Sequence, residues 1–177
     1  TIELGFANTA EKKTLSGGIT LSGSGNNTIK VGSGAGSLAT ADAHQEVGGA
    51  ISGSGTLIKT GKGKLTLSGS NSNDGGVKIL KFTDDNSQAR DGGIVVANHA
   101  NALGTGTVTV EHGKLAVAGG ITVTNTIQGE ASNGTDQKSL VGGGVGNSLG
   151  TITNNGAVLN IGSGGEIEKV IKLEKSL

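Results

Sequence analysis

Apolar residues in this chain recur at alternate positions over short runs, and nearly every run ends in glycine or asparagine. Examples are Ile19-Thr20-Leu21, Ile29-Lys30-Val31, Leu65-Thr66-Leu67, Val77-Lys78-Ile79 and Val108-Thr109-Val110. Leu115-Ala116-Val117, Ile121-Thr122-Val123 and Leu159-Asn160-Ile161 continue the series. A period of two sends alternate side chains to opposite faces, so each triplet reads as a short strand with two residues inward and one outward. Clusters of Gly, Ser and Asn at 22–27, 32–36, 69–76 and 154–156 separate the runs. Such clusters supply the positive-φ conformations that sharp corners need. Their unequal lengths argue against a row of two-residue hairpins. A parallel coil accommodates them, because each layer has only to return to the layer below. Helix is disfavoured throughout, since each interior Gly costs about 1 kcal/mol relative to Ala.

The core has to be narrow. Pro, Cys, Met, Trp and Tyr are absent, and Phe6 and Phe82 are the only aromatics. Filling therefore falls to 41 Val, Ile and Leu residues, while Gly, Ser, Thr and Asn make up nearly half the chain. Similar small side chains suit a regular core stacked layer on layer, and disordered Gly/Ser tracts have no need of the alternation. The expected fold is all-β: a right-handed parallel β-helix, a single-stranded solenoid with three short faces per turn, forming one segment over 1–177. Gly63-Lys64-Leu65-Thr66-Leu67 is echoed fifty positions later by Gly113-Lys114-Leu115-Ala116-Val117. Read as two turns, the echo implies about 25 residues per turn, roughly seven turns, and a rod about 35 Å long.

Charge and hydropathy exclude several function classes. Fourteen basic and fourteen acidic residues balance and are scattered singly, so no basic stripe or aromatic platform is offered to nucleic acid. No apolar run approaches the length of a membrane helix, and no membrane insertion by this segment is expected. The absence of cysteine excludes a disulfide framework and fits export as an unfolded chain. Thr1 opens directly into polar, alternating sequence without a signal-peptide pattern. The chain is accordingly expected to be a mature form or a piece of a longer protein.

Residues 53–79 carry a more specific pattern. Gly53, Gly55, Leu57, Lys59, Gly61, Gly63, Leu65, Leu67, Gly69 and Asn71, followed by Gly75-Gly76-Val77-Lys78-Ile79, closely resemble the autotransporter-associated β-strand repeat, or passenger-associated transport repeat. Asn101-Ala102-Leu103-Gly104 through Val117 looks like the segment that commonly follows it. There are two departures: Ser72-Asn73-Asp74 stands where an aromatic is usual, and Val77 where Thr is usual. The resemblance implies a right-handed β-helix carried by type V secretion to the surface or exterior of a Gram-negative bacterium. Such passengers serve as adhesins, stalks or virulence factors. No segment resembles the C-terminal membrane barrel of that family. Read from the residues themselves, Leu57, Leu65 and Leu67 belong in the core and Gly61, Gly63 and Gly69 at corners. Lys59, Lys62 and Lys64 are expected to be outward, solvated residues that blunt edge pairing.

Candidate chemistry is sparse. Asp84-Asp85 and His112-Gly113 superficially resemble a polygalacturonase-like set, but the accompanying Asn-Thr-Asp and Arg-Ile-Lys are missing, so a solvated loop and a turn are expected instead. Gly142 to Asn147 lacks the aspartates of a calcium solenoid, and Asp84, Asp85 and Asp91 are the one carboxylate group suited to a lone calcium. His44, His99 and His112 lack ligand spacing. Gly61-Lys62-Gly63 has no Ser or Thr where a phosphate loop needs one. Thr105-Thr107-Thr109, Thr122-Thr124 and Thr151-Thr153 invite comparison with flat threonine faces, although Thr is simply a good outward strand residue. No catalytic residue, metal ligand or cofactor is therefore assigned.

The alternation breaks between Leu80 and Gly93, where an insertion is expected. Loops on a rigid scaffold are where binding specificity resides. Phe82, Asp84, Asp85, Asn86, Arg90 and Asp91, with residues 71–74 nearby, form the candidate contact loop for a host-cell or glycan ligand. The leading expectation is thus a structural, adhesive surface module and not an enzyme. A fibre or sheath subunit associating end to end is the alternative, and a polysaccharide-degrading β-helix enzyme the third reading. The charged C-terminal stretch is expected to hold a strand at 171–173 rather than a capping helix.

Overall fold

The computed structural model describes residues 2–4, 13–23, 26–32, 44–80, 82–83, 89–90, 92–111, 113–130, 138–143, 152–155, 158–161 and 174–175. Among these the fold is all-β with no helix, so no helix is long and apolar enough to cross a membrane. The first sheet stacks eight strands: β1 (Ile2–Leu4), β4 (Asn26–Val31), β7 (Thr56–Thr60), β9 (Val77–Ile79), β13 (Val108–Val110), β15 (Ile127–Glu130), β17 (Ile152–Asn155) and β19 (Glu174–Lys175). The second stacks seven: β2 (Lys13–Leu15), β5 (His44–Val47), β8 (Lys64–Leu67), β12 (Ile94–Ala97), β14 (Gly113–Val117), β16 (Lys138–Gly143) and β18 (Val158–Ile161). A third sheet pairs β3 (Ile19–Leu21) with β6 (Ile51–Gly53). Every pairing in these three sheets is parallel. An antiparallel pair, β10 (Phe82–Thr83) with β11 (Ala89–Arg90), stands outside them.

The numbering shows how the chain runs. It visits the first and second sheets alternately, and β3 and β6 each come in sequence between a strand of the second sheet and the next strand of the first. Neighbours within a sheet are therefore never consecutive in sequence. That requires parallel pairing through a crossover rather than hairpins.

Register explains the fifty-residue echo and corrects its reading. Lys64 pairs with Ile94, and Ile94 with Lys114. The echo does span two returns to the same sheet, but they are thirty and twenty residues long rather than 25 each. The short return recurs from His44 to Lys64 and from Leu57 to Val77. The long one recurs from Ile29 to Lys59. Other returns fall between these, with 27 residues from Ile2 to Ile29, 26 from Lys114 to Leu140 and 25 from Ile127 to Ile152. The β10–β11 pair lies within the thirty-residue return from Lys64 to Ile94.

The core follows from the period of two. Leu57, Val77, Val108 and Ile127 form one inward column of the first sheet. Gln45, Leu65, Val95 and Leu115 form one column of the second, beside Val47, Leu67, Ala97 and Val117. The apolar members are buried, and each Val or Leu so placed contributes about 1.5–3 kcal/mol. Ile51, Ala102, Leu103 and Val123 close the cluster from the third side.

Several expected boundaries move. Val123 is buried, but Ile121 to Val123 form no strand, only an isolated bridge at Thr122. Asn26, Asn27, Asn154 and Asn155, expected at corners, belong to β4 and β17. The strand expected at 171–173 lies outside the described residues, while β19 follows immediately at Glu174–Lys175.

Glycine is essential where layers touch. Gly61 takes φ +82°, and a Cβ there would run into the Val31 carbonyl oxygen of the layer before. At Gly69 a Cβ would meet the Gly49 carbonyl in the same way.

Candidate functional site

The expected contact loop coincides with the insertion. Phe82 pairs with Arg90 and Thr83 with Ala89, so the excursion begins and ends as an antiparallel ribbon apart from the stacks. Asp84, Asp85, Asn86 and Asp91 lie outside the described residues, as does His112. The suggested neighbours at 71–74 divide into two kinds. Ser72 and Asp74 are exposed, whereas Asn71 and Asn73 are buried. These two asparagines hold the corner together, so they are not contact residues.

Asn71 bridges three layers. Its Oδ1 accepts from the Ile51 backbone N–H at 2.8 Å, and its Nδ2 donates to the Ala102 carbonyl at 2.6 Å. Ile51 lies in β6, but no strand follows it on this side in the next layer. Backbone bonds still run into the next layer, from the Ser72 N–H to the Ile51 carbonyl at 2.8 Å and from the Asp74 N–H to the Gly53 carbonyl at 3.2 Å. The Asn71 side chain adds partners for the Ile51 N–H and the Ala102 carbonyl. Asn73 donates from Nδ2 to the Gly76 carbonyl at 3.2 Å, and its buried Oδ1 has no partner.

Lys59 is the clearest correction. It was expected outward, yet it is fully buried. Its register places it between Ile29 and Ile79, with an apolar neighbour on either side. From there the ammonium reaches the corner and donates to the carbonyls of Thr60 (2.9 Å), Gly61 (2.7 Å) and Gly92 (2.8 Å). An ammonium has three hydrogens, and three oxygens converge on it, which makes its burial tolerable. Lys62 and Lys64, on the same segment, are half-buried.

A polar groove of about 270 Å³ opens where the segments entering β13 and β15 lie side by side, lined among others by Thr105, Thr107, Thr124 and Thr126. The Val108 N–H donates to the Thr126 carbonyl at 2.9 Å, fixing the two segments in parallel register. Asn125 donates from Nδ2 to the Gly104 carbonyl at 3.1 Å and the Gly106 carbonyl at 2.8 Å. The threonines compared with a flat face do not share one: Thr109 pairs with Gln128, which pairs with Thr153, while Thr105 and Thr124 line the groove. Sequence patterning missed this concavity because it depends on which layers become neighbours.

The two described histidines are hydrogen-bonded to protein groups. His44 Nε2 lies 2.8 Å from Thr66 Oγ1, and His99 Nδ1 accepts from the Asn101 N–H at 3.1 Å. Among the described residues no three His, Cys, Asp or Glu side chains cluster as a metal site would require. The chain matches no family model, no curated protein and no solved structure.

Proposed function

We propose that the chain is a segment of right-handed parallel β-solenoid serving as a non-catalytic, adhesive surface module of the autotransporter passenger kind. The observation that carries this reading is the rotation of the chain through its sheets, with parallel pairing at every return. Crossovers between parallel strands are right-handed in about 98% of cases, which supports the hand. The repeat-like run from Gly53 to Asn71 supports the passenger assignment. Within it Leu57, Leu65 and Leu67 are core residues, and Lys59 and Asn71 make the buried corner bonds.

A stack of this kind holds lateral segments at fixed heights, and on this reading the β10–β11 excursion is the surface contact, because loops on a rigid scaffold carry binding specificity. Deleting residues 82–91 and measuring binding to host cells and immobilised glycans tests the reading. Reduced binding is expected. Unchanged binding rejects the excursion as the contact, and no binding by the intact protein rejects adhesion. Turnover of acidic or neutral polysaccharides by the intact protein would establish an enzyme instead.

A further inference from the structure

We propose that the groove between the segments entering β13 and β15 binds an uncharged, hydroxyl-rich carbohydrate unit. The proposal rests on the adhesive reading and gives it a site that the expected loop does not contain. The polar lining comes from Asn101, Thr105, Thr107, Thr124, Asn125 and Thr126, none of them charged. The four threonines and Asn101 are exposed. The bond from the Val108 N–H to the Thr126 carbonyl sets the segments ending at Thr107 and Thr126 side by side, and Thr105 and Thr124 line the same groove. Each hydroxyl both donates and accepts, as sugar hydroxyls require of their partners.

Asn125 is the independent sign of a ligand. It is only 7% exposed, and its Nδ2 is fully committed to the Gly104 and Gly106 carbonyls. No described residue donates to its Oδ1, which leaves a rigidly held acceptor in the groove wall. Among the described residues the one buried side-chain polar atom without a partner is Asn73 Oδ1, so the Asn125 Oδ1 is open to solvent and within reach of a ligand hydroxyl. The absence of carboxylate, ammonium and aromatic groups from the lining selects against ionic ligands and against tight stacking. The volume, about 270 Å³, lies just below the range of drug-sized sites and suits a single ring rather than a long chain. Binding is therefore weak per site and gains strength when many copies meet a glycan-covered surface.

The test is a titration of the isotopically labelled 177-residue chain with maltose, lactose and a sulfated heparin disaccharide, followed by backbone amide shifts. Saturable shifts with a millimolar dissociation constant are expected for at least one neutral sugar. They should be confined to residues 104–107 and 124–126. The near-isosteric double variant T107V/T126V, with an otherwise unchanged amide spectrum, should weaken binding at least tenfold. Deleting residues 82–91 should leave the shifts in place. Absence of saturable shifts up to about 100 mM sugar, unchanged affinity in the double variant, or equal binding of the sulfated sugar would overturn the proposal. If the intact protein still attaches to glycan surfaces without groove shifts, the site fails and the adhesive reading stands. If it neither shifts nor attaches, both fail.

Discussion

The Lys59 ammonium donates to the Gly92 carbonyl at 2.8 Å across thirty-three positions of sequence, tying the corner before the β10–β11 excursion to the point where the chain returns from it. A side chain from a core column thereby reaches the edge of the stack and secures the base of its lateral segment. Replacement by Met keeps most of the apolar stem but leaves the Thr60, Gly61 and Gly92 carbonyls without their donor. The expected loss is about 2–3 kcal/mol, read as a lower urea midpoint at unchanged slope. Lys59→Arg should also destabilise, since a planar fork does not match three carbonyls gathered around a point cation.

Asn71 gives a residue-specific prediction. Asn71→Ala strands the Ile51 N–H and the Ala102 carbonyl, so a loss of about 2–3 kcal/mol is expected. Hydrogen exchange sharpens the assignment: the Ile51 amide should lose protection well beyond that of its neighbours. An Ile51 amide as slow as in the parent protein would show that the ladder does not depend on this side chain.

Two glycines separate close contact from composition. Gly61→Ala combines a positive φ with a clash at Val31 and should cost more than about 2 kcal/mol. Gly17→Ala, with open space around its Cβ and no positive φ, should change stability by less than about 0.5 kcal/mol. Thermal unfolding of the two variants side by side checks the difference.

Removing residues 82–91 should shorten the thirty-residue return between Lys64 and Ile94 to twenty, the length of the return from His44 to Lys64. Gly92 remains to accept from Lys59. The strand-rich circular dichroism spectrum is therefore expected to persist, and the Lys64–Ile94–Lys114 register with it. Loss of that spectrum would mean the excursion supports the stack rather than branching from it.

Much of this was legible in the residues. Leu65, Leu67, Val108 and Val110 alternate within strands whose glycine flanks leave few other options, and the structure buries all four. Lys59 was misjudged although its parity was informative. It shares the face of Leu57, and only its charge argued for an outward position. Charge lost because three carbonyls lay within reach of a long side chain, which no single segment reveals. Asn71 and Asn125 were hidden for a related reason, since their partners come from other layers and the order of layers is not local. The return length was blurred by averaging, as one echo over fifty residues cannot distinguish two equal intervals from a long and a short one.

The unequal returns have a consequence for how such a chain can change. Register is conserved from Lys64 to Ile94 to Lys114 although the two intervals differ by ten residues. Height along the stack is therefore counted in layers and not in residues. Length inserted between Ile79 and Gly92 adds bulk sideways without adding reach, whereas a twenty-residue return adds one layer of reach and no bulk. Span and decoration are separate variables here, free to drift independently in two chains of equal mass.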